Sequence, residues 1–394
     1  MESTIIPTDS LPSGLRNRFA AAYRILEDAI AARAFPGCAF GIVTLGNSGD
    51  AAPLQDALGR FTYDEDALAV TSETVYDVAS LTKVAAATAA AMLLNQRGLL
   101  DLHRPLCDFL PGFAAGRAPG DGARRVKVHH LLAHNSGLPG YREFFRSVGT
   151  PSALYRACLK LPLEAEPGTR VEYSDPGFIL LGRALEVCVG EPLATWVQRE
   201  IFHPLGMAST CFCPASEARP LIPPSEEDTT LRHRRIQGEV QDEHAWLLKG
   251  AAGHAGVFSN VPDLLRFAGE ILAAGREGGG GGARPRLFHA PVVERFAERQ
   301  PPEGSSRALG WDTPSENSSS GRYFSQRSIG HLGYSGCSLW IDREAGIAVA
   351  LLTNRTWPDR RSQRIREVRP AFHDAVREAL RLSRDGHPIA MAPG

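Results

Sequence analysis

The sequence predicts an α+β (mixed α/β) protein whose single sheet takes strands from both ends of the chain, with a mostly helical segment inserted between them. Three observations carry that reading. Short, apolar, β-prone runs occur at 38–45 and again beyond residue 308. Between about 100 and 270 helical spacing dominates, punctuated by glycine, proline and polar residues. The chain has 394 residues, 43% of them hydrophobic and 22% charged, enough for one large domain or two intergrown ones. Residues 1–75 and 290–394 are read as the sheet domain and 76–289 as the mostly helical one.

Taken in order, 15–34 carries apolar residues at helical spacing (Phe19, Tyr23, Ile25, Leu26, Ile30) and predicts an amphipathic helix. After Pro36-Gly37, 38–45 reads as a buried strand, with 59–63 the expected next one. Residues 80–97 are rich in Ala and Leu with no breaker before Gly98, which predicts a largely buried helix. Further helices are expected at 128–133, 151–161, 177–189, 192–202 and 262–274, the last capped by Asn260. Five consecutive glycines within 276–286 predict a flexible loop. Strands are expected next at 308–311, 323–329, 338–342 and 347–352, and a helix over 365–382 closes the chain.

A formal net charge of -1 gives no reason to expect a nucleic-acid partner or an acidic membrane surface. The one short basic cluster, Arg232 to Arg235, reads as a solvated loop face. Seven scattered cysteines suggest small buried hydrophobes rather than a disulfide or zinc framework. No basic segment followed by an apolar one stands in 1–18, and no apolar run reaches eighteen residues. A reduced, cytoplasmic enzyme acting on a small molecule is the expectation.

Three elements carry chemistry. Ser80-Leu81-Thr82-Lys83 places a serine and a lysine three residues apart, on one face of a helix start whose N–H groups favour an oxyanion. Serine is a poor nucleophile until a base takes its proton, and a desolvated lysine is one such base. Taken alone the motif also fits a serine that merely caps a helix. Glu172-Tyr173-Ser174-Asp175 lies on a tight loop between Pro167-Gly168 and Pro176-Gly177, where a tyrosine beside a cation can carry protons. Gly330-His331-Leu332-Gly333 leads into a predicted strand, and its glycines let backbone approach a substrate closely. Tyr173 and His331 also have structural readings. His130 and His134 read as structural, Gly253-His254-Ala255-Gly256 as a pocket wall, and Asp242-Glu243-His244 equally as cleft lining or solvated loop.

In this order the three elements resemble the serine β-lactamase and penicillin-binding-protein superfamily. The match is closest to its class C-like branch, which includes family VIII-type esterases, D-amino-acid peptidases and related serine hydrolases. Residues 128–138, 201–207, 250–259, 340–342 and 352–355 are similar to that branch, so the resemblance spans about 20–382. It implies a β-lactamase/transpeptidase-like fold, with an antiparallel sheet flanked by helices and the active site where the helical insertion meets it. It implies Ser80 as nucleophile, Lys83 as its partner and Tyr173 as proton shuttle. Backbone N–H groups of Ser80 and Tyr334 would form the oxyanion hole. Asp175, His331, Leu332 and Gly333 would contact substrate. No metal and no cofactor is implied.

Two positions depart from the family's pattern. Asp175 stands where asparagine is usual; an ionised carboxylate only accepts hydrogen bonds, favours a charged Lys83 and helps Tyr173 ionise. Leu332 stands where threonine is usual and removes a hydroxyl that helps hold a substrate carboxylate. Both weaken the expectation of penicillin or D-alanyl peptide chemistry. An ester or amide hydrolase favouring esters is therefore expected, ahead of a D-amino-acid peptidase or β-lactamase. A non-catalytic protein that binds penicillin or a cell-wall fragment is the third reading, and the intact Ser80, Lys83 and Tyr173 count against it.

Overall fold

The computed structural model describes residues 13–45, 51–118, 120–274 and 286–381. Its main sheet has five antiparallel strands in the order Ala51–Gly59, Gly37–Leu45, Ile347–Thr353, Ser338–Asp342, Ser328–Leu332. The two ends of the chain thus interleave in one sheet, and Ser328–Leu332 forms its edge beside the site.

Strand side chains alternate faces, and the two cores follow that alternation. Phe40, Ile42, Trp340, Val349 and Leu351 face the helices Ala20–Ala31 and Ile365–Arg381, meeting Tyr23, Leu26, Phe372 and Val376. Ala39, Val43, Leu339, Ile341, Ala348 and Ala350 face the larger core, where the helix Val261–Ala274 packs on the sheet. That helix approaches closely at Gly41, where an added Cβ would lie 2.5 Å from Val261 Cγ1. As expected, Asn260 caps it, its side-chain oxygen accepting the Asp263 N–H at 3.0 Å.

Several elements differ from the sequence reading. The second strand is Ala51–Gly59 rather than 59–63; it contains Pro53 and little β-branched residue, and its register with Gly37–Leu45 holds it. The edge strand begins at Ser328, five residues later than expected, and 308–311 forms no strand. Residues 80–97 do not run as one α-helix: π-helical turns span Lys83–Thr88 before the α-helix Ala89–Gln96. Of the basic cluster, Arg234 and Arg235 are exposed, but the Arg232 side chain is buried, where Asp228 and the Val240 and Gln241 carbonyls satisfy its guanidinium. All seven cysteines are free thiols. The glycine run lies outside the described residues. No helix among the described residues is long and apolar enough to cross a membrane.

Candidate active site

Ser80 sits on a turn that the surrounding chain constrains tightly. The strand Tyr76–Asp77 pairs with Val257–Ser259, and Asp77 anchors the turn that leads to Ser80. Its carboxylate accepts the Ala79 N–H at 2.9 Å and the Gln241 N–H at 2.7 Å; burial nevertheless pushes its pKa up to about 6. Ala79 has φ +48°, a left-handed conformation that costs a non-glycine residue of order 1–3 kcal/mol. That strained residue turns the chain so that Ser80 faces the cavity while Leu81 and Thr82 are buried. The Thr82 hydroxyl accepts the Val257 N–H at 3.0 Å and ties the turn to the neighbouring strand.

Lys83 is fully buried, and its ammonium uses all three donors. It reaches Ser80 Oγ at 3.0 Å, Asp175 Oδ1 at 2.7 Å and the His254 carbonyl at 3.2 Å. Its nitrogen also lies 4.8 Å from the centre of the Tyr173 ring. Burial by itself pulls the Lys83 pKa down, but the Asp175 carboxylate and Tyr173 outweigh it, so the pKa is raised. The lysine is an ammonium at neutral pH, as the aspartate in place of asparagine leads one to expect.

Tyr173 precedes the helix Asp175–Val189, and its loop is held by a short network. Ser174 caps the helix by accepting the Gly177 N–H at 3.0 Å and donates its hydroxyl to the Pro139 carbonyl at 2.6 Å. His134 takes the Ser174 N–H on Nδ1 at 3.0 Å, and its carbonyl takes the Glu172 N–H at 2.8 Å. The His134 ring lies 4.4 Å from that of Tyr173. Burial, then the nearby Arg307 and Lys83 charges, hold His134 neutral. It positions the tyrosine loop from both sides, and the sequence signal for that was only its place before Asn135-Ser136-Gly137.

His331 lies on the edge strand with its ring 6.0 Å from that of Tyr173. Its Nδ1–H donates to the Leu332 carbonyl at 2.8 Å, while Nε2 is buried without a partner. Burial first, then Lys83 and Arg307, keep it uncharged. Leu332 is half-buried, and neither it nor His331 borders the main cavity. Gly333, directly after this strand, lies against the turn that leads to Ser80: a Cβ there would lie 2.4 Å from the Val78 carbonyl. Arg369 clasps the following turn through the Gly333, Gly336 and Cys337 carbonyls at 2.6, 3.1 and 2.9 Å. Among the described residues, neither the Ser80 nor the Tyr334 N–H has a protein acceptor. Ser80, Tyr173, Asp175 and Tyr334 border one cavity of about 940 Å³.

Two further neighbours complete the surroundings: Arg307, which the sequence reading did not single out, and His254, whose loop it read as a pocket wall. Arg307 places its guanidinium 5.3 Å from the Tyr173 ring centre. His254 contributes its backbone carbonyl to Lys83, and its loop is pressed onto the Asp175–Val189 helix, where a Cβ on Gly253 would lie 2.3 Å from the Phe178 carbonyl. Both come from parts of the chain remote from Ser80.

A family model described as Beta-lactamase matches residues 24–371. The chain is 30% identical over 316 residues to a Salmonella typhimurium protein named "Putative D-alanyl-D-alanine carboxypeptidase", covering 72% of this chain and 70% of that protein. EstCE1, described as a hydrolase with promiscuous acyltransferase activity, superposes with TM-score 0.68 at 22% identity, over 93% of this chain and 100% of its own. A class C β-lactamase from Rhodobacter sphaeroides superposes with TM-score 0.67 at 20% identity, over 91% and 99%. This chain belongs to the beta-lactamase family, within the superfamily of serine β-lactamases and penicillin-binding proteins.

Proposed function

We propose that the protein hydrolyses esters or amides through an acyl-enzyme on Ser80 and prefers neutral esters. The observation that carries the mechanism is the 3.0 Å contact from Lys83 to Ser80 Oγ, with Lys83 held as an ammonium by Asp175. A charged Lys83 cannot accept the serine proton, so that role falls to Tyr173, whose ring lies 4.8 Å from the ammonium. Ser80 Oγ attacks the substrate carbonyl as its proton passes to Tyr173. The oxyanion is met by the free Ser80 and Tyr334 N–H groups. Tyr173 then protonates the leaving group. In the second half, water attacks the acyl carbon, gives its proton to Tyr173, and Ser80 leaves with that proton.

Electrostatics supports the ester preference. Seven carboxylates and only three arginines border the cavity, and each arginine is paired with a carboxylate: Arg146 with Glu143, Arg360 with Glu226 and Glu243, Arg361 with Asp359. Neutral His331 adds no positive charge. A penicillin or a D-alanyl peptide would bring its own carboxylate into a field of like sign.

A second reading, a D-alanyl carboxypeptidase, is favoured by the name of the 30% identical relatives and by Arg307 beside Tyr173, a donor suited to a carboxylate. Intact mass spectrometry after exposure to a fluorophosphonate, nitrophenyl esters and penicillin tests both. Wild type should gain one adduct with the first two reagents, and Ser80→Ala should gain none and turn over no ester. Unchanged turnover in Ser80→Ala removes the mechanism. A kcat/KM higher for a D-alanyl dipeptide or penicillin than for a neutral ester transfers the substrate assignment to the second reading.

A further inference from the structure

Behind one wall of the cavity, three side chains converge that the hydrolytic machinery does not use. Asp242 precedes the short helix Glu243–Leu247, His244 lies in its first turn, and His254 sits on the loop before Val257–Ser259. One donor atom from each lies within 4.8 Å of the others. Asp242 Oδ1 accepts the Ala245 N–H at 2.7 Å and faces His254 Nε2 at 2.8 Å. Both histidines are 1% exposed.

Neither ring nitrogen of His244 has a partner, nor does His254 Nδ1. The His244 ring is walled by Tyr141, Phe144 and Phe145 at centroid distances of 5.3, 5.8 and 5.9 Å, and none of these rings offers it a ring nitrogen. Burying an imidazole with both nitrogens unsatisfied is costly, and a cation that takes one lone pair from each histidine removes much of that cost.

We propose that Asp242, His244 and His254 form a zinc site. Two imidazoles and one carboxylate suit Zn²⁺, whereas Ca²⁺ and Mg²⁺ demand oxygen ligands. Tetrahedral bonds of 2.0–2.1 Å place ligand atoms about 3.3 Å apart, so side-chain adjustments below 2 Å close the present cluster onto an ion. Three protein ligands leave a fourth position. Asp242 is the one member that borders the cavity shared with Ser80, so the site lies at the wall of that cavity. The site also reaches the reaction centre through the chain, because the His254 carbonyl accepts a hydrogen bond from Lys83.

The test uses full-length protein stripped with a chelator and dialysed against Zn²⁺ or Co²⁺. Wild type should retain one zinc per chain after gel filtration, and Co²⁺ should give the strong visible absorption of a four-coordinate site. X-ray absorption at the zinc edge of the wild type should show two imidazoles and oxygen. His244→Phe keeps an aromatic ring in the same wall, and Asp242→Asn keeps an acceptor for Ala245; each should lose stoichiometric zinc and the cobalt band. The ring cluster His103–His129–His130, with centroids 4.9 and 4.1 Å apart, serves as control, and His129→Gln should leave binding unchanged. Absence of zinc from the wild type, sulfur among its zinc ligands, or binding lost in His129→Gln but kept in His244→Phe overturns the proposal. Because the absorption measurement is made on the wild type, it decides the matter even if both substitutions impair folding.

Discussion

Asp175→Asn removes one negative charge that lies 2.7 Å from Lys83 Nζ, on a lysine with no exposed surface and an aspartate side chain 17% exposed. At an effective dielectric near 20, two unit charges at that separation attract by about 6 kcal/mol, which sets the gross scale. The net effect is smaller. Asparagine still offers an oxygen, and Lys83 keeps Ser80 Oγ and the His254 carbonyl. Breaking a buried pair by removing one partner costs about 3–5 kcal/mol, and the lower end, about 3 kcal/mol at neutral pH, is expected here.

The pH dependence is the sharper test, because its sign reverses. In the wild type the folded-state pKa of Lys83 is raised above 10.5, so the pair's contribution is fully present below that pH and is lost only above it. In Asp175→Asn the opposing effect, burial, governs and pulls the lysine below its unfolded value. The unfolded chain then binds more protons than the folded one, and the stability of the variant rises with pH up to about 10.5. Urea unfolding from about pH 6 to about pH 9 measures both. A deficit under about 1 kcal/mol, or a deficit that does not shrink as pH rises, refutes the assignment of Lys83 as an ammonium held by Asp175.

Tyr173→Phe should lower kcat on neutral esters roughly 10²–10⁴-fold with little change in binding, as removal of a general acid–base does; steady-state kinetics with the acyl-enzyme followed by mass decides it, and an unchanged kcat leaves Lys83 alone with the protons. Gly333→Ala should cut ester turnover while sparing most of the fold, because its Cβ would meet the Val78 carbonyl at 2.4 Å and push the edge strand off the Ser80 turn. Wild-type turnover in that variant, at wild-type Tm, would mean that the strand's distance from Ser80 is not critical.

Much of this architecture was legible in the sequence where local pattern and final environment agree. The continuous apolar runs within 338–342 and 347–352 predict strands, and they are continuous because both sheet faces are covered; Ser80-x-x-Lys83 predicts a shared face because three residues make nearly one helical turn. Ala51–Gly59 was not legible. Ala52, Pro53, Gln55 and Asp56 have no β preference, and the strand exists because Gly37–Leu45 supplies its pairing partners. The Tyr173 loop could be located but not its support by His134, which depends on a contact across 40 residues. Asp242, His244 and His254 were visible as residues, yet only the fold brings the histidine of one loop against the aspartate that caps another helix. Likewise, that the Arg232 side chain is buried while those of Arg234 and Arg235 are not follows from Asp228 and two carbonyls, none of which a charge run announces.

The three bonds made by the Lys83 nitrogen join its own turn to residues 92 and 171 positions further along the chain. Its ammonium is therefore a junction of three segments that no short stretch of sequence can assemble. Proteins open locally at a lower free-energy cost than global unfolding, and release of any one of these segments dissolves the junction while the five-stranded sheet stands. Loss of turnover should therefore precede loss of secondary structure along a urea titration. Coincident midpoints would mean that the junction and the sheet melt as one cooperative unit.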